Sequence, residues 1–156
     1  MLNKCCFSLC RKYRYTLLHE WDKGKGMVMF IGLNPSTADE VQLDPTVRRC
    51  VNFSKTWGYG SICMTNIFAI RSTNPKVMLK DPEPIGEDNN HWLIKTAEDS
   101  DLIVAAWGNH GIHLNRGDEV ASMLDKYGVI QCLDITKKGQ PKHPLYIRAD
   151  QKLRPF

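Results

Sequence analysis

Met27-Val28-Met29-Phe30-Ile31-Gly32-Leu33-Asn34-Pro35-Ser36 places five apolar residues directly before a glycine and a polar turn. An unbroken apolar run of this length reads as a core strand of a helix-covered parallel sheet. Gly32 permits close backbone approach and Pro35 fixes the direction in which the chain leaves. Asn34 is therefore aimed into whatever crevice the strand end borders. Its amide both donates and accepts, so it can hold a water or a carbonyl-bearing ligand, but it is no general base at neutral pH. The competing reading is a turn asparagine bonded to its own backbone.

Outward from this stretch, Tyr13 to Trp21 is rich in β-favouring residues, and Asp22-Lys23-Gly24-Lys25-Gly26 supplies turn chemistry before Met27. The two runs are expected to form an N-terminal hairpin. Asp44-Pro45 suits an N-cap and first helical position, and Val47, Cys50, Val51, Ser54 and Trp57 recur at helical steps until Gly58. Further strands are predicted at 61–68, 102–107 and 129–133, and further helices at 87–98 and 118–127, with the Pro-rich stretch 75–84 as a loop. Alternation of this kind predicts one α/β domain over 1–156, with a mostly parallel four-stranded sheet covered by helices on both faces. Ligands of such sheets bind beyond the C-terminal strand ends. Those ends carry Gly32-Leu33-Asn34-Pro35-Ser36, Asn66, and Gly108-Asn109-His110-Gly111, with His143-Pro144 in a later loop. Asn66 interrupts an apolar strand, where a buried amide reads a base edge or satisfies a neighbouring loop. Backbone N–H groups after Trp107 suit an anion, while Trp107 itself reads as core. His143 is either a surface residue or a titrating group of the site.

Hydrophobic residues make up 42% and charged residues 24% of the 156, which excludes disordered and fibrous classes. Apolar runs are far short of the ~20 residues of a membrane span, and no secretion signal is recognisable, so a cytoplasmic protein without a membrane partner is expected. The six cysteines match no disulfide framework or zinc spacing, so reduced thiols and no metal are expected. The net charge of +4 is unevenly spread. Residues 1–25 hold six Lys/Arg against two acids and 137–154 six against one, whereas 81–101 hold one against seven. A positive face would attract a phosphate-bearing partner. Lys137, Lys138, Lys142 and Arg148 are the candidate phosphate contacts, joined by Arg48 and Arg49 early on the first helix.

These segments together resemble the uracil-DNA glycosylase superfamily in identity, order and placement. Gly32-Leu33-Asn34-Pro35-Ser36 resembles its first motif, closest to the G-I-N-P-G of the mismatch-specific and thymine glycosylases. Met64-Thr65-Asn66 resembles the strand whose Asn reads the flipped base. Val104-Ala105-Ala106-Trp107-Gly108 resembles the L-L-W-G strand, and His143-Pro144-Leu145 the terminal H-P-S-P-L motif. Arg14, Tyr15 and Leu17 match the R-Y-x-L opening of a domain-of-unknown-function family, number 1643, which the whole chain resembles.

The glycosylase resemblance implies a three-layer α/β/α fold and hydrolysis of a base–sugar bond in DNA or a nucleotide, without metal or redox cofactor. By it, Asn34 positions the attacking water, Asn66 bonds the base edge, and His143 supports the departing base or a phosphate. Gly32, Leu33, Pro35, Ser36, Gly108 and Asn109 shape the pocket, and Asp39 or Asp44 is the nearest candidate base. A polymeric substrate would have to present its base unstacked. Residues 36–52 contain no Phe, Tyr or Trp where the family places its stacking ring, and Phe53, which falls on the helix, is either its substitute or a core residue. Two further readings follow: a non-catalytic nucleic-acid- or nucleotide-binding module, and a protein-interaction domain that uses only the fold.

Overall fold

The computed structural model describes residues 2–36, 38 and 41–156. Among these residues seven strands form one mixed sheet: β1 (Leu2–Phe7), β2 (Arg14–Glu20), β3 (Met27–Gly32), β4 (Ser61–Asn66), β5 (Leu102–Ala105), β6 (Ile130–Cys132) and β7 (Arg154–Pro155), in spatial order β1-β2-β4-β3-β5-β6-β7. The four central strands, β4-β3-β5-β6, are mutually parallel, while β1, β2 and β7 run antiparallel to their neighbours. The expected four strands are therefore the parallel core of a wider sheet.

The expected hairpin is corrected. β4 lies between β2 and β3, and β2 instead pairs with β1. The turn chemistry at 22–26 is nonetheless used: the Trp21 and Asp22 N–H groups donate to the Gly60 carbonyl, and Gly60 N–H donates to that of Gly26 at 3.0 Å. The turn thus straddles the entrance to β4.

Apolar alternation splits the two sides of the sheet. Val28 and Phe30 pack with Val47, Cys50 and Val51 of α1 (Pro45–Thr56). Met29 and Ile31 pack on the other side with Met78 of α2 (Pro75–Lys80), Leu93 and Ala97 of α3 (Asn89–Asp99), and Val120 and Leu124 of α4 (Arg116–Leu124). α1 thus packs into one apolar cluster, and α2, α3 and α4 into the other. The Asp44 carboxylate caps α1 by accepting from Val47 N–H at 2.9 Å, Pro45 occupies its first position, and Gly58 leaves it at φ +89°. The expected loop at 75–84 is corrected by α2, which Asn74 caps by accepting from Lys76 N–H at 2.9 Å. Among the described residues no helix is long and apolar enough to cross a membrane.

The chain leaves β3 for β4 on one side through α1, then crosses back to β5 on the other. The ends of β3 and β5 thus diverge, and a crevice opens between them, where open parallel sheets bind their ligands. Leu93, fully buried from α3, and Val77, 54% exposed on α2, test this packing. Leu93→Ala is expected to cost about 2–5 kcal/mol in urea unfolding, against about 0.5 kcal/mol or less for Val77→Ala. Equal costs would contradict the arrangement.

Candidate functional site

A cavity of about 400 Å³ occupies this crevice, and Gly32, Leu33, Asn34, Pro35, Ser36, Asn66, Gly108, Asn109 and His143 all line it. Four segments far apart in sequence thus meet at one place. Its volume lies in the range of roughly 300–1,000 Å³ typical of small-molecule sites.

Asn34 is held by its amide nitrogen, which donates to the carbonyls of Ser72 at 3.0 Å and Ile70 at 3.4 Å. These bonds set the orientation of the group and leave Oδ1 as the acceptor. Asn66, 5% exposed, is placed by the opposite means: Gly32 stands beside it in the β3–β4 ladder, and a Cβ on Gly32 would come within 2.7 Å of Asn66 Oδ1. Asn66 Nδ2 is buried and has no partner among the described residues. The backbone beneath is fixed, because Asn89 Nδ2 donates to the Asn66 and Ile67 carbonyls at 2.9 and 3.2 Å, and the buried Arg116 Nε donates to Ile67 at 2.8 Å. Arg116 is itself tied to Asn90 and Glu119.

His143 caps a short 3-10 turn, Pro144–Tyr146, with Nδ1 accepting from Leu145 N–H at 3.3 Å. Burial lowers its pKa below the ordinary histidine value, against an opposing pull from the Asp44 charge. Accepting at Nδ1 and losing charge on burial both favour the neutral ring with its proton on Nε2. Asp44 also lines the cavity, with Oδ1 committed to the α1 cap. Asp39 lies outside the described residues.

Trp107, 2% exposed, belongs to the core, donates from its indole to Gln140 Oε1 at 3.0 Å and is among the residues lining the cavity. Asn109 Oδ1 accepts from Thr136 Oγ1 at 2.7 Å, and Gly108 takes φ +71° to turn the chain out of β5. Phe53 is buried against Trp57, away from the cavity, so the aromatic lining is supplied by Phe30 and Trp107. Cys50 also borders it, but burial raises its thiol pKa far above the ordinary value, so it stays protonated and unreactive. All six cysteines are free. Among the described residues no three His, Cys, Asp or Glu side chains gather as metal ligands.

Arg14 was not apparent as a site residue in the sequence. It starts β2, which runs antiparallel to β4, so it lies at the same sheet edge as Asn66. Cys6 pairs with Thr16 while Phe7 pairs with Arg14, so Tyr15 is an inserted bulge residue. Bulges re-aim the side chains beside them. Arg14 accordingly shares the α1 side with Leu17, donating from Nη1 to the Ala38 carbonyl at 2.7 Å, and it lines the cavity although only 3% exposed. Its Nε has no partner, and no carboxylate among the described residues pairs with it. Desolvation pulls its pKa down, against weaker opposing pulls that include the Asp44 charge.

The expected phosphate contacts are placed outside the cavity lining. None of Arg48, Arg49, Lys137, Lys138, Lys142 or Arg148 lines the cavity. Arg48 bonds the Leu43 carbonyl, Arg49 sits over Phe53, and Lys137 and Lys138 are exposed on a turn. Lys142 pairs with Asp134 at 3.4 Å and Arg148 with Asp150 at 3.1 Å.

The family model described as "Protein of unknown function (DUF1643)" matches residues 14–145. No curated protein and no solved structure matches the chain.

The His143 geometry carries a measurable consequence. Its proton NMR titration should show a midpoint below the ordinary value of about 6.5. Because the folded pKa is depressed, its contribution to stability is full above the unfolded value and is lost as pH falls through the folded one. A midpoint at or above 6.5 would contradict the neutral, Nε2-protonated ring.

Proposed function

The chain belongs to the DUF1643 family, and from the chemistry of its cavity we propose that it hydrolyses the N-glycosidic bond of a nucleobase in DNA or a nucleotide. The observation that carries this reading is the buried, unpartnered Asn66 amide in the same cavity as Asn34 and His143. A base edge offers a carbonyl to Asn66 Nδ2 and an N–H to its Oδ1, pairing groups that protein alone leaves open. Kinship with the uracil-DNA glycosylase superfamily, including its three-layer arrangement, is part of the proposal. Its support is the order of the four motifs and their meeting at one cavity.

In this mechanism Asn34 Oδ1 accepts from a water and aims it at the sugar C1′. As the C1′–N bond breaks, its electron pair leaves with the base, and the neutral His143 ring donates from Nε2–H to the base oxygen where charge collects. Asp44 is the carboxylate available to take the proton of the attacking water. Phe30 and Trp107 furnish apolar walls for the base.

A binding module without hydrolysis is the second reading. It is favoured by one observation: Asp44, the carboxylate of the described lining, already caps α1.

Chromatographic assay of base release from modified oligonucleotides and nucleotides separates the two. The native chain should release a base, with Asn34→Ala and His143→Gln slower by about 100-fold or more at unchanged fold. Binding of the same compounds with no release by the native chain would leave the binding module.

A further inference from the structure

The cavity holds a second buried donor that base recognition leaves unused, the Arg14 guanidinium. A cation this deeply buried is ordinarily matched by a carboxylate. Arg14 has instead the Ala38 carbonyl at Nη1, an unpartnered Nε, and no ion pair among the described residues. The one charged group of opposite sign in the described lining, Asp44, acts on it only at long range and spends Oδ1 on the helix cap. The hydroxyl residues Ser36, Thr46 and Thr73 line the same cavity. A planar fork that shares a cavity with hydroxyls suits a tetrahedral oxyanion.

The position of Arg14 also restricts what carries that anion. The side chain is 3% exposed, so only a group that enters the cavity reaches it. A phosphodiester continues on both sides and would have to bring two lengths of strand inside, whereas a phosphomonoester can end there. The basic side chains that would track a strand lie outside the lining, and Lys142 and Arg148 are paired with aspartates.

We propose that Arg14 receives the terminal phosphate of a nucleoside monophosphate, so that the cavity takes a free nucleotide rather than a residue within a strand. The inference rests on the reading of the cavity as a nucleobase site, and it concerns binding, not bond cleavage.

Isothermal titration calorimetry at constant ionic strength tests it with the common nucleosides, their 5′-monophosphates, inorganic phosphate, and a single-stranded oligonucleotide lacking terminal phosphate. At least one monophosphate should bind about tenfold or more tightly than its nucleoside, with inorganic phosphate competing. Arg14→Gln should remove that difference while leaving nucleoside affinity in place, and Arg14→Lys should reduce it. If Arg14→Gln fails to fold, the native comparison and Arg14→Lys decide. Equal binding of nucleoside and monophosphate, tighter binding of the oligonucleotide, or no binding by any probe overturns the proposal. So does a phosphate preference that persists in Arg14→Gln. Base release, measured separately, keeps the readings apart. Arg14-dependent nucleotide binding without release would sink hydrolysis alone, and release from monophosphates equally fast in the native chain and in Arg14→Gln would sink the phosphate site alone.

Discussion

Gly32 and Asn66 face each other at the ends of β3 and β4, closer than any side chain at position 32 would allow. The two strands do not splay there: Ile67 and Phe68 N–H groups donate to the carbonyls of Gly32 and Leu33 at 2.9 and 3.0 Å, carrying the pairing past the formal ladder. The floor of the cavity is therefore continuous backbone. Asn34, two residues beyond Gly32, is reached by the Ile70 and Ser72 carbonyls because the chain after β4 follows the chain after β3. Both asparagines inherit their positions from this one close approach, and Asn89 and Arg116 keep it from relaxing by gripping the far side of the same segment.

Two donors in this setting are buried without a partner among the described residues. Leaving a buried polar group unpaired costs about 1–3 kcal/mol, and more for a charged one. Asn66 Nδ2 and Arg14 Nε both carry that cost in the same cavity, and Arg49 Nε and Asn89 Oδ1 carry it outside the lining, whereas Arg116, fully buried, finds three oxygens. Departures from local consistency concentrate at functional sites. The apolar clusters on either side of the sheet offset the cost, and their residues are those whose burial the alternating pattern already announced.

How much of this was legible in the sequence depends on the range over which each signal acts. Asp44-Pro45 and Gly58 delimited α1 because caps and breakers act within a few residues. Asn74-Pro75 carries the same cap-and-first-turn signal, but the prolines around it read as a loop and hid α2. The turn at 22–26 is real, yet turn chemistry says only that the chain reverses. Insertion of β4 between β2 and β3 is decided by pairings some forty residues apart that no local pattern encodes. Three of the four motif segments were visible as strand ends, and the loop that carries His143 joins them at the cavity. Arg14 was hidden because a single bulge at Tyr15 inverts the facing of everything before it, and bulges leave no mark in apolar alternation.

Charge shows the same limit with consequences for chemistry. The excess of Lys and Arg in residues 137–154 is real in the sequence, and a linear reading makes it a track for phosphates. Folding brings Asp134 against both Lys142 and Arg154 and leaves Arg148 to its neighbour Asp150, so three of the six cations have a carboxylate in contact. Such exposed pairs stabilise little, but they lower the field that a polyanion would meet. The cation that remains without a carboxylate partner among the described lining is the buried one at the start of β2. A ligand drawn by that arrangement is recognised by a charge at its end, held inside the cavity, and not by a row of charges laid along the surface.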